Sequence, residues 1–236
     1  MCLNFKEPQL KYAIVDGDKI TAQPKLRGTC NYCGSEMIAR CGRHKIWHWA
    51  HKSKADCDPW WESEGEWHRN WKDHFPIEWQ EVIHIDEETG EKHIADIKNP
   101  YGLVIEFQSS NIKPEEKQSR ENFYKEMIWV VNGNRNDLTE AYFNMGLSGP
   151  IQKNPLAYQV SWLGRGKFLQ NWGDSKVKVY LDFGKDVVWR LVFFDTKKKV
   201  GAVGPLSKEA FINNCMEGRE ISVSYLPEGD KPEEDN

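Results

Sequence analysis

The stretch Asp96-Ile-Lys-Asn-Pro-Tyr-Gly-Leu-Val-Ile-Glu-Phe-Gln108 decides the fold. Two strand-like runs, Ala95–Lys98 and Leu103–Gln108, flank Asn99-Pro100-Tyr101-Gly102. Asn first, Pro second and Gly last suit a type I turn closed by a left-handed glycine bulge. That loop pairs Asn99 with Leu103, and counting back along the ladder sets Asp96 opposite Glu106. Opposed residues share a face, with Cβ atoms roughly 4.5–5.5 Å apart. Side chains alternate with period two, so Gln108 joins that face. Two carboxylates and an amide oxygen converging on one point suit Mg²⁺ or Mn²⁺, and such a site suits a nuclease. Salt bridges from Asp96 to Lys98 or His93, and from Glu106 to Lys92, are the non-catalytic alternative. Ile94, Ile97, Val104, Ile105 and Phe107 make both faces apolar, however, and predict a sheet covered on both sides. Opposed acids buried there repel without a cation.

Working outward, the segments around this hairpin predict an α/β core. Ser63–Phe75 reads as a helix stopped by Pro76, with Ser63 and Glu66 as a capping box. Ile77–Ile85, Lys92–Lys98 and Leu103–Ser109 read as a three-stranded meander whose first turn is Glu87-Glu88-Thr89-Gly90. Pro114 opens a second helix through Lys125, and Met127–Val131 is a buried strand. On the first helix Glu64, His68 and Lys72 recur at i, i+4 and i+8 and line one face. Glu64 is the candidate third acid, because Glu66 serves the cap and Glu62 precedes it. Glu81 is a weaker candidate, and a solvated Glu–His–Lys ladder is the plain alternative.

Before this core, residues 9–28 read as strand, Asp16-Gly17-Asp18 turn and strand. Cys30-Asn-Tyr-Cys33 then forms a knuckle, followed by a hairpin, Glu36–Arg40 and Lys45–Trp49, and by His48, His51 and Cys57. A two-residue spacer lets both thiolates reach one ion from a tight turn, and a second pair one hairpin later closes a tetrahedron. Cys30, Cys33, His51 and Cys57 are the expected Zn²⁺ ligands, with His48 in reserve and Cys41 disfavoured near the hairpin tip. A closed site of this kind is structural and contributes on the order of 10–16 kcal/mol to folding. A redox Cys-x-x-Cys is the alternative, but those motifs open a helix, and this one precedes Gly34-Ser35. After the core, Lys176–Phe183 and Val187–Phe194 read as a hairpin around Gly184-Lys185-Asp186. Val200–Val203 follows as a strand, Ser207–Cys215 as a helix and Ile221–Tyr225 as a last strand. Residues 135–172, with Gly164-Arg165-Gly166, yield no readable element. The expected divisions are 1–28 (strands), 29–58 (zinc finger), 59–134 (core), 135–226 (α+β extension) and 227–236 (acidic, disordered tail).

Composition narrows the class. The 236 residues can bury a real core without disulfides. The net charge of −4 hides a basic segment, with Lys25, Arg27, Arg40, Arg43, Lys45, Lys52 and Lys54 against Glu36 alone. A local basic patch favours a polyanion partner such as nucleic acid. The start of the chain lacks a signal-type apolar run, and no run suits a membrane span. A cytoplasmic protein is expected, in which six cysteines point to metal ligation more than to bridges. Most of the eleven tryptophans read as core.

Several of these motifs resemble a known family. Cys30-x-x-Cys33-Gly, His48-Trp-Ala-His51 and Cys57 are similar to the N-terminal zinc finger of the competence protein CoiA-like family. The likeness continues through Glu64-x-x-x-His68-x-x-x-Lys72, His93-Ile-Ala-Asp96, Ile105-Glu-Phe-Gln108-x-Ser110 and Arg120-x-x-x-Tyr124, over about residues 28–132. More loosely it includes Tyr180–Gly184 and Val187–Leu191. The resemblance implies a restriction-endonuclease-like core of the PD-(D/E)xK superfamily, with Glu64, Asp96 and Glu106 as its acids. Gln108 stands at the place of the usual lysine. In this reading Asp96, Glu106 and Glu64 hold Mg²⁺ or Mn²⁺, and Gln108 positions the attacking water or a phosphate oxygen. Lys98, His68 or Lys72 supplies the missing positive charge, while Ser110, Arg120 and Tyr124 contact the substrate backbone or brace the site. The expected activity is metal-dependent hydrolysis of DNA, in processing, recombination or defence. Two alternatives of different class are a zinc-finger DNA-binding protein that has lost catalysis, as Gln108 permits, and a protein-interaction factor.

Overall fold

Residues 9–53, 57–60 and 64–221 are described in the computed structural model, a mixed α/β chain rich in strand. It divides into two compact units, Met1–Ile97 and Lys98–Asn236. Among the described residues, no helix is long and apolar enough to cross a membrane.

In the first unit, Asp16 and Gly17 both take positive φ and close a two-residue hairpin between Tyr12–Val15 (β1) and Asp18–Thr21 (β2). Arg27–Thr29 (β3), Glu36–Arg40 (β4) and His48–His51 (β5) complete an antiparallel sheet in the order β2-β1-β3-β4-β5. Leu10, Ala13, Ala22, Cys30, Met37 and Trp49 form its core. The sequence predicts the strand after β4 at Lys45–Trp49; it lies three residues later. Trp49 exchanges two backbone hydrogen bonds with Leu10, at 2.8 and 3.0 Å, and all four residues of β5 are buried. That shift carries His51 into the sheet opposite Met37.

The helix of this unit is shorter than expected. Glu66–Lys72 (α1) starts at an N-cap Gly65 with no side-chain cap, so the capping box does not form as predicted, and Ser63 lies outside the described residues. Glu66 sits at the first helical position and is exposed. Past Lys72 the chain tightens, with Phe75 N–H donating to Lys72 C=O ahead of Pro76. A 3₁₀ turn, Ile77–Trp79, replaces the start of the predicted first meander strand. Gln80–Ile85 (β6) then pairs antiparallel with Lys92–Lys98 (β7). In β7 His93, Ala95 and Ile97 are buried while Ile94, Asp96 and Lys98 are half-buried. The predicted coverage of both faces therefore fails for this strand, and Asp96 occupies its more open face.

In the second unit the decisive turn is as the sequence predicts. Asn99 N–H donates to Leu103 C=O, Gly102 N–H donates to Asn99 C=O, and Gly102 has φ +92°. Asn99 Oδ1 also accepts from the N–H groups of Tyr101 and Leu103. Val104–Gln108 (β8) is buried at every position. Pro114–Tyr124 (α2), with Pro at its first position, crosses over to Met127–Asn132 (β9), which runs parallel to β8. Residues that resist reading from sequence become Asp137–Gly146 (α3), Leu147–Lys153 (β10) and Leu156–Ser161 (β11). Lys178–Asp182 (β12), Val187–Asp195 (β13), Val200–Ser207 (β14) and Lys208–Glu217 (α4) follow. The strands of this unit lie in the order β10-β11-β14-β13-β12-β9-β8, with β9 parallel to both neighbours. Buried Glu121 of α2 accepts from Trp129 Nε1, Ser175 Oγ and the Lys176 N–H, and so pins the later chain to the crossover helix. The predicted strand Ile221–Tyr225 falls outside the described residues apart from its first member, and the predicted acidic tail falls outside them altogether.

The Asn99–Gly102 turn depends on a left-handed glycine. A Cβ on Gly102 meets no atom within 4 Å, so the cost of Gly102→Ala is backbone strain alone, about 1–2 kcal/mol. The expected result is a urea midpoint lowered accordingly, with the denaturant slope unchanged.

Candidate metal centres

The first centre is built by a turn and a strand. Gly34, at φ +72°, lets its N–H reach Cys30 C=O while Cys30 N–H donates to Ser35 C=O, which folds the knuckle back on itself. Cys30, Cys33, His51 and Cys57 bring one ligand atom each within 4.8 Å of the others. Cys30 Sγ and Cys57 Sγ are 3.8 Å apart, and Cys33 Sγ lies 3.3 Å from His51 Nε2. Tetrahedral zinc with bonds of ~2.3 Å to sulfur and ~2.0 Å to nitrogen needs S···S near ~3.8 Å and S···N near ~3.5 Å. The donor set therefore fits Zn²⁺ or a similar ion. A hydrogen bond from Cys57 pushes the Cys30 thiol down to about 4 and pushes Cys57 up, as expected for two sulfurs sharing one proton. His48, the reserve ligand, instead turns Nδ1 to Ile46 C=O, and Cys41 stays outside the group.

Asp58, which the sequence reading passed over, holds this centre to β7. Its carboxylate is 2.8 Å from His93 Nδ1 and accepts from the Ile94 and Trp60 N–H groups. Trp60 stacks on His93 with ring centroids 3.3 Å apart. Tyr32, inside the knuckle, donates its hydroxyl to Lys92 C=O, and Lys92 Nζ returns a bond to Tyr32 C=O. The signal in the sequence was an acid directly after a ligand cysteine.

The second centre lies between α1 and β7. Glu64, His68 and Asp96 bring ligand atoms within 4.8 Å of one another. His68 Nε2 is 2.9 Å from Asp96 Oδ1 and 3.9 Å from Glu64 Oε1. Lys72 is fully buried; its ammonium bonds Glu64 at 2.5 Å and Glu81 at 2.8 Å and lies 3.9 Å from Asp96. The sequence reading offered Lys72 to the substrate; the structure turns it inward, where it neutralises two acids. Glu81 sits in the ladder between the pairs Gln80–Ile97 and Val82–Ala95, across from Asp96. It has φ +48° and accepts from the N–H groups of Lys11 and Tyr12.

Electrostatics follow from this packing. Burial disfavours the charged carboxylate of Glu64, yet Lys72 and then His68 hold it below its usual range. Burial and the neighbouring Glu64 charge lift Glu81 despite Lys72. Burial opposes the His68 imidazolium, but the Asp96 carboxylate and its hydrogen bond outweigh that and raise it. Two carboxylates and an imidazole can hold a divalent ion, and the imidazole favours a transition ion such as Mn²⁺ over Mg²⁺.

The remaining predicted residues lie in the second unit. Glu106, buried, pairs with Arg120 Nη1 at 3.0 Å, and Arg120 Nη2 bonds Glu116. Gln108, also buried, donates Nε2 to the backbone and side-chain oxygens of Ser110 at 3.2 Å each. Tyr124 is buried with its ring edge on Phe123, so Tyr124 and Arg120 brace rather than face solvent. Ser110 is exposed and Lys98 half-buried.

With this geometry in place, comparison with known proteins finds residues 19–59 similar to the family described as competence protein CoiA, N-terminal domain. The match covers β2 to β5, the knuckle and Cys57. No curated protein and no solved structure matches the chain.

Purified protein is expected to carry one zinc ion per chain by elemental analysis. Cys33→Ser lowers this to near zero and raises amide exchange through β3 to β5, whereas Cys41→Ser retains the ion. Lys72→Met removes the buried cation that Glu64 and Glu81 share and leaves Glu64 with Arg69 and His68 alone. It is expected to cost ~3–5 kcal/mol in urea unfolding, while Lys52→Ala, at an exposed pair with Glu36, is near neutral.

Proposed function

We propose that this chain is a CoiA-like, metal-dependent nuclease that hydrolyses DNA phosphodiester bonds. The observation that carries the reading is the convergence of Glu64, His68 and Asp96 from a helix and a strand. Chain order adds support. The sequence α1, β6, β7, β8, α2, β9 is that of the restriction-endonuclease-like core which the family resemblance implies. The zinc-fitting cluster beside a basic segment supports nucleic acid as partner, because exposed lysines and arginines there meet phosphates.

In this reading Asp96, Glu64 and His68 would hold a Mg²⁺ or Mn²⁺ ion. A bound ion of that kind lowers the pKa of a ligated water and stabilises charge on the phosphoryl oxygens. Asp96 is the acid a cation from solvent reaches first, since its side chain keeps 17% of its exposure against 6% for Glu64 and 4% for Glu106. His68, 2.9 Å from Asp96, would ligate such an ion as a neutral imidazole. Lys72 fixes Glu64 in place from behind. Arg120 sets the rotamer of Glu106.

A second reading has its own observation. Glu106 is matched by Arg120 and Glu64 by Lys72, so both acids have cationic partners without a metal. That pattern favours a DNA-binding protein whose nuclease-like core does not cleave. Supercoiled plasmid and circular single-stranded DNA, incubated with Mg²⁺, Mn²⁺ or EDTA, separate the two. A nuclease nicks in Mn²⁺ or Mg²⁺, stops in EDTA, and loses at least ~100-fold of its rate in Asp96→Ala. Equal behaviour of wild type and Asp96→Ala, with DNA binding retained, would establish the second reading instead.

A further inference from the structure

The second unit contains a cleft of about 820 Å³ at the carboxyl ends of the parallel strands β8 and β9. Crevices outside the carboxyl ends of parallel strands are where α/β sheets accept ligands. Gln108, Ser109, Ser110 and Asn132 form its strand-end floor, and the segment from Trp162 to Trp172 forms a wall. This wall includes Gly166, the last residue of the Gly164-Arg165-Gly166 loop that sequence alone leaves without a role.

Three features of the lining select a ligand. Its charged side chains are Arg135 and Lys167, and no Asp or Glu lines it among the described residues, although the chain holds 36 acids against 32 lysines and arginines. Its apolar surface is largely aromatic: Tyr142, Trp162, Phe168 and Trp172. These rings are held in place rather than free. Trp162 donates Nε1 to Gly166 C=O at 2.6 Å and packs against Tyr142 and Phe168 with centroids 6.1 and 5.8 Å away. The remaining lining is rich in amides and hydroxyls, as edge-on recognition of a heterocycle requires. Arg135 is exposed and steadied by Asn111 Oδ1 at 3.0 Å, at the rim where a phosphate would sit.

We infer that this cleft binds an unpaired nucleotide, its phosphate on Arg135 and Lys167 and its base against the Tyr142–Trp162–Phe168 rings. Aromatic platforms with a cationic rim accept single strands because every base has a π face, whereas a paired base in a duplex exposes none. The inference deepens the nuclease reading by naming the strand the protein holds. It concerns binding alone, so it is read without added Mg²⁺ or Mn²⁺, where cleavage plays no part, and its failure is distinguishable from loss of catalysis.

The test uses the full-length, zinc-loaded protein and a fluorescein-labelled deoxythymidine dodecamer in magnesium-free buffer. Anisotropy is expected to show single strand preferred over a duplex of equal length by at least tenfold. Arg135→Ala combined with Lys167→Ala, both exposed, is expected to weaken single-strand binding about tenfold while zinc content and melting temperature stay unchanged. A 5-iodouracil version of the same oligonucleotide, irradiated on the protein, is expected to crosslink to peptides containing Tyr142 or Phe168. Competition by deoxythymidine monophosphate separates the sources of the ligand. Full displacement at millimolar concentration, with the dodecamer binding no tighter, identifies the free nucleotide, and a much tighter dodecamer identifies the strand. Either result supports a nucleotide site. Equal affinity for duplex, or crosslinks confined to residues 25–54, would overturn the inference.

Discussion

The first unit depends on one buried cation. Lys72 is completely enclosed, and an ammonium in that position is tolerable only because Glu64 and Glu81 meet it at hydrogen-bond distance and Asp96 stands close by. Each partner comes from a different place. Glu64 precedes α1, Glu81 lies in β6 at φ +48°, and Asp96 lies in β7. Glu81 in turn accepts from the backbone of Lys11 and Tyr12, beside β1. One charge thus fixes how the helix, the β6–β7 hairpin and the N-terminal sheet meet. The left-handed backbone at Glu81 is strain of the kind that persists when surrounding contacts over-determine it.

The zinc-fitting cluster is tied to the same strand by separate means. Asp58 and Tyr32 grip β7 at His93, Ile94 and Lys92, two to four residues before Asp96. A chain of rigid contacts therefore runs from the cysteine centre to the acidic one along a single strand. Ordering the cysteines orders the knuckle and Cys57, and through Tyr32 and Asp58 it orders the register of β7. The cysteine cluster thus bears on where Asp96 is held, although none of its four residues belongs to the acidic group.

Short-range features were legible in the sequence. The Asn99–Gly102 turn, the Asp16-Gly17 hairpin, the Pro114 helix start and the four clustered metal-ligand residues all follow from local backbone chemistry or fixed ligand spacing. What escaped the reading depends on distant partners. β5 moved to His48–His51 because Leu10, far off in sequence, pairs with Trp49. Lys72 in an i, i+4 ladder with Glu64 and His68 resembles any solvated face, and only its contact with Glu81 marks it as interior. Residues 135–172 lack clean periodicity because β10 is exposed at nearly every position. Its partner strand β11 gains its burial from β14, some forty residues later. The predicted helix start at Ser63 rests on a residue outside the described ones, and the helix that is described begins after Gly65.

The two acids first singled out in the sequence have different fates, and the difference is physical. Glu106 stands in a strand buried at every position and beside a guanidinium that is itself held by Glu116 and lies over the Trp129 ring. Asp96 stands on the half-open face of an alternating strand, and the cation 2.9 Å from it is an imidazole, a group that, unlike lysine or arginine, also serves as a neutral ligand. The partner of the second carboxylate is therefore more readily exchanged than that of the first. Glu64, between the two kinds, has Lys72 as a fixed partner and His68 as a changeable one. Within the first unit the pair Glu64 and Asp96 is thus graded from a fixed partner, Lys72, to an exchangeable one, His68, and the exchangeable end lies on the more open face. A purely structural ion network has no need of that gradient, since matching every acid with lysine or arginine would hold the fold as well.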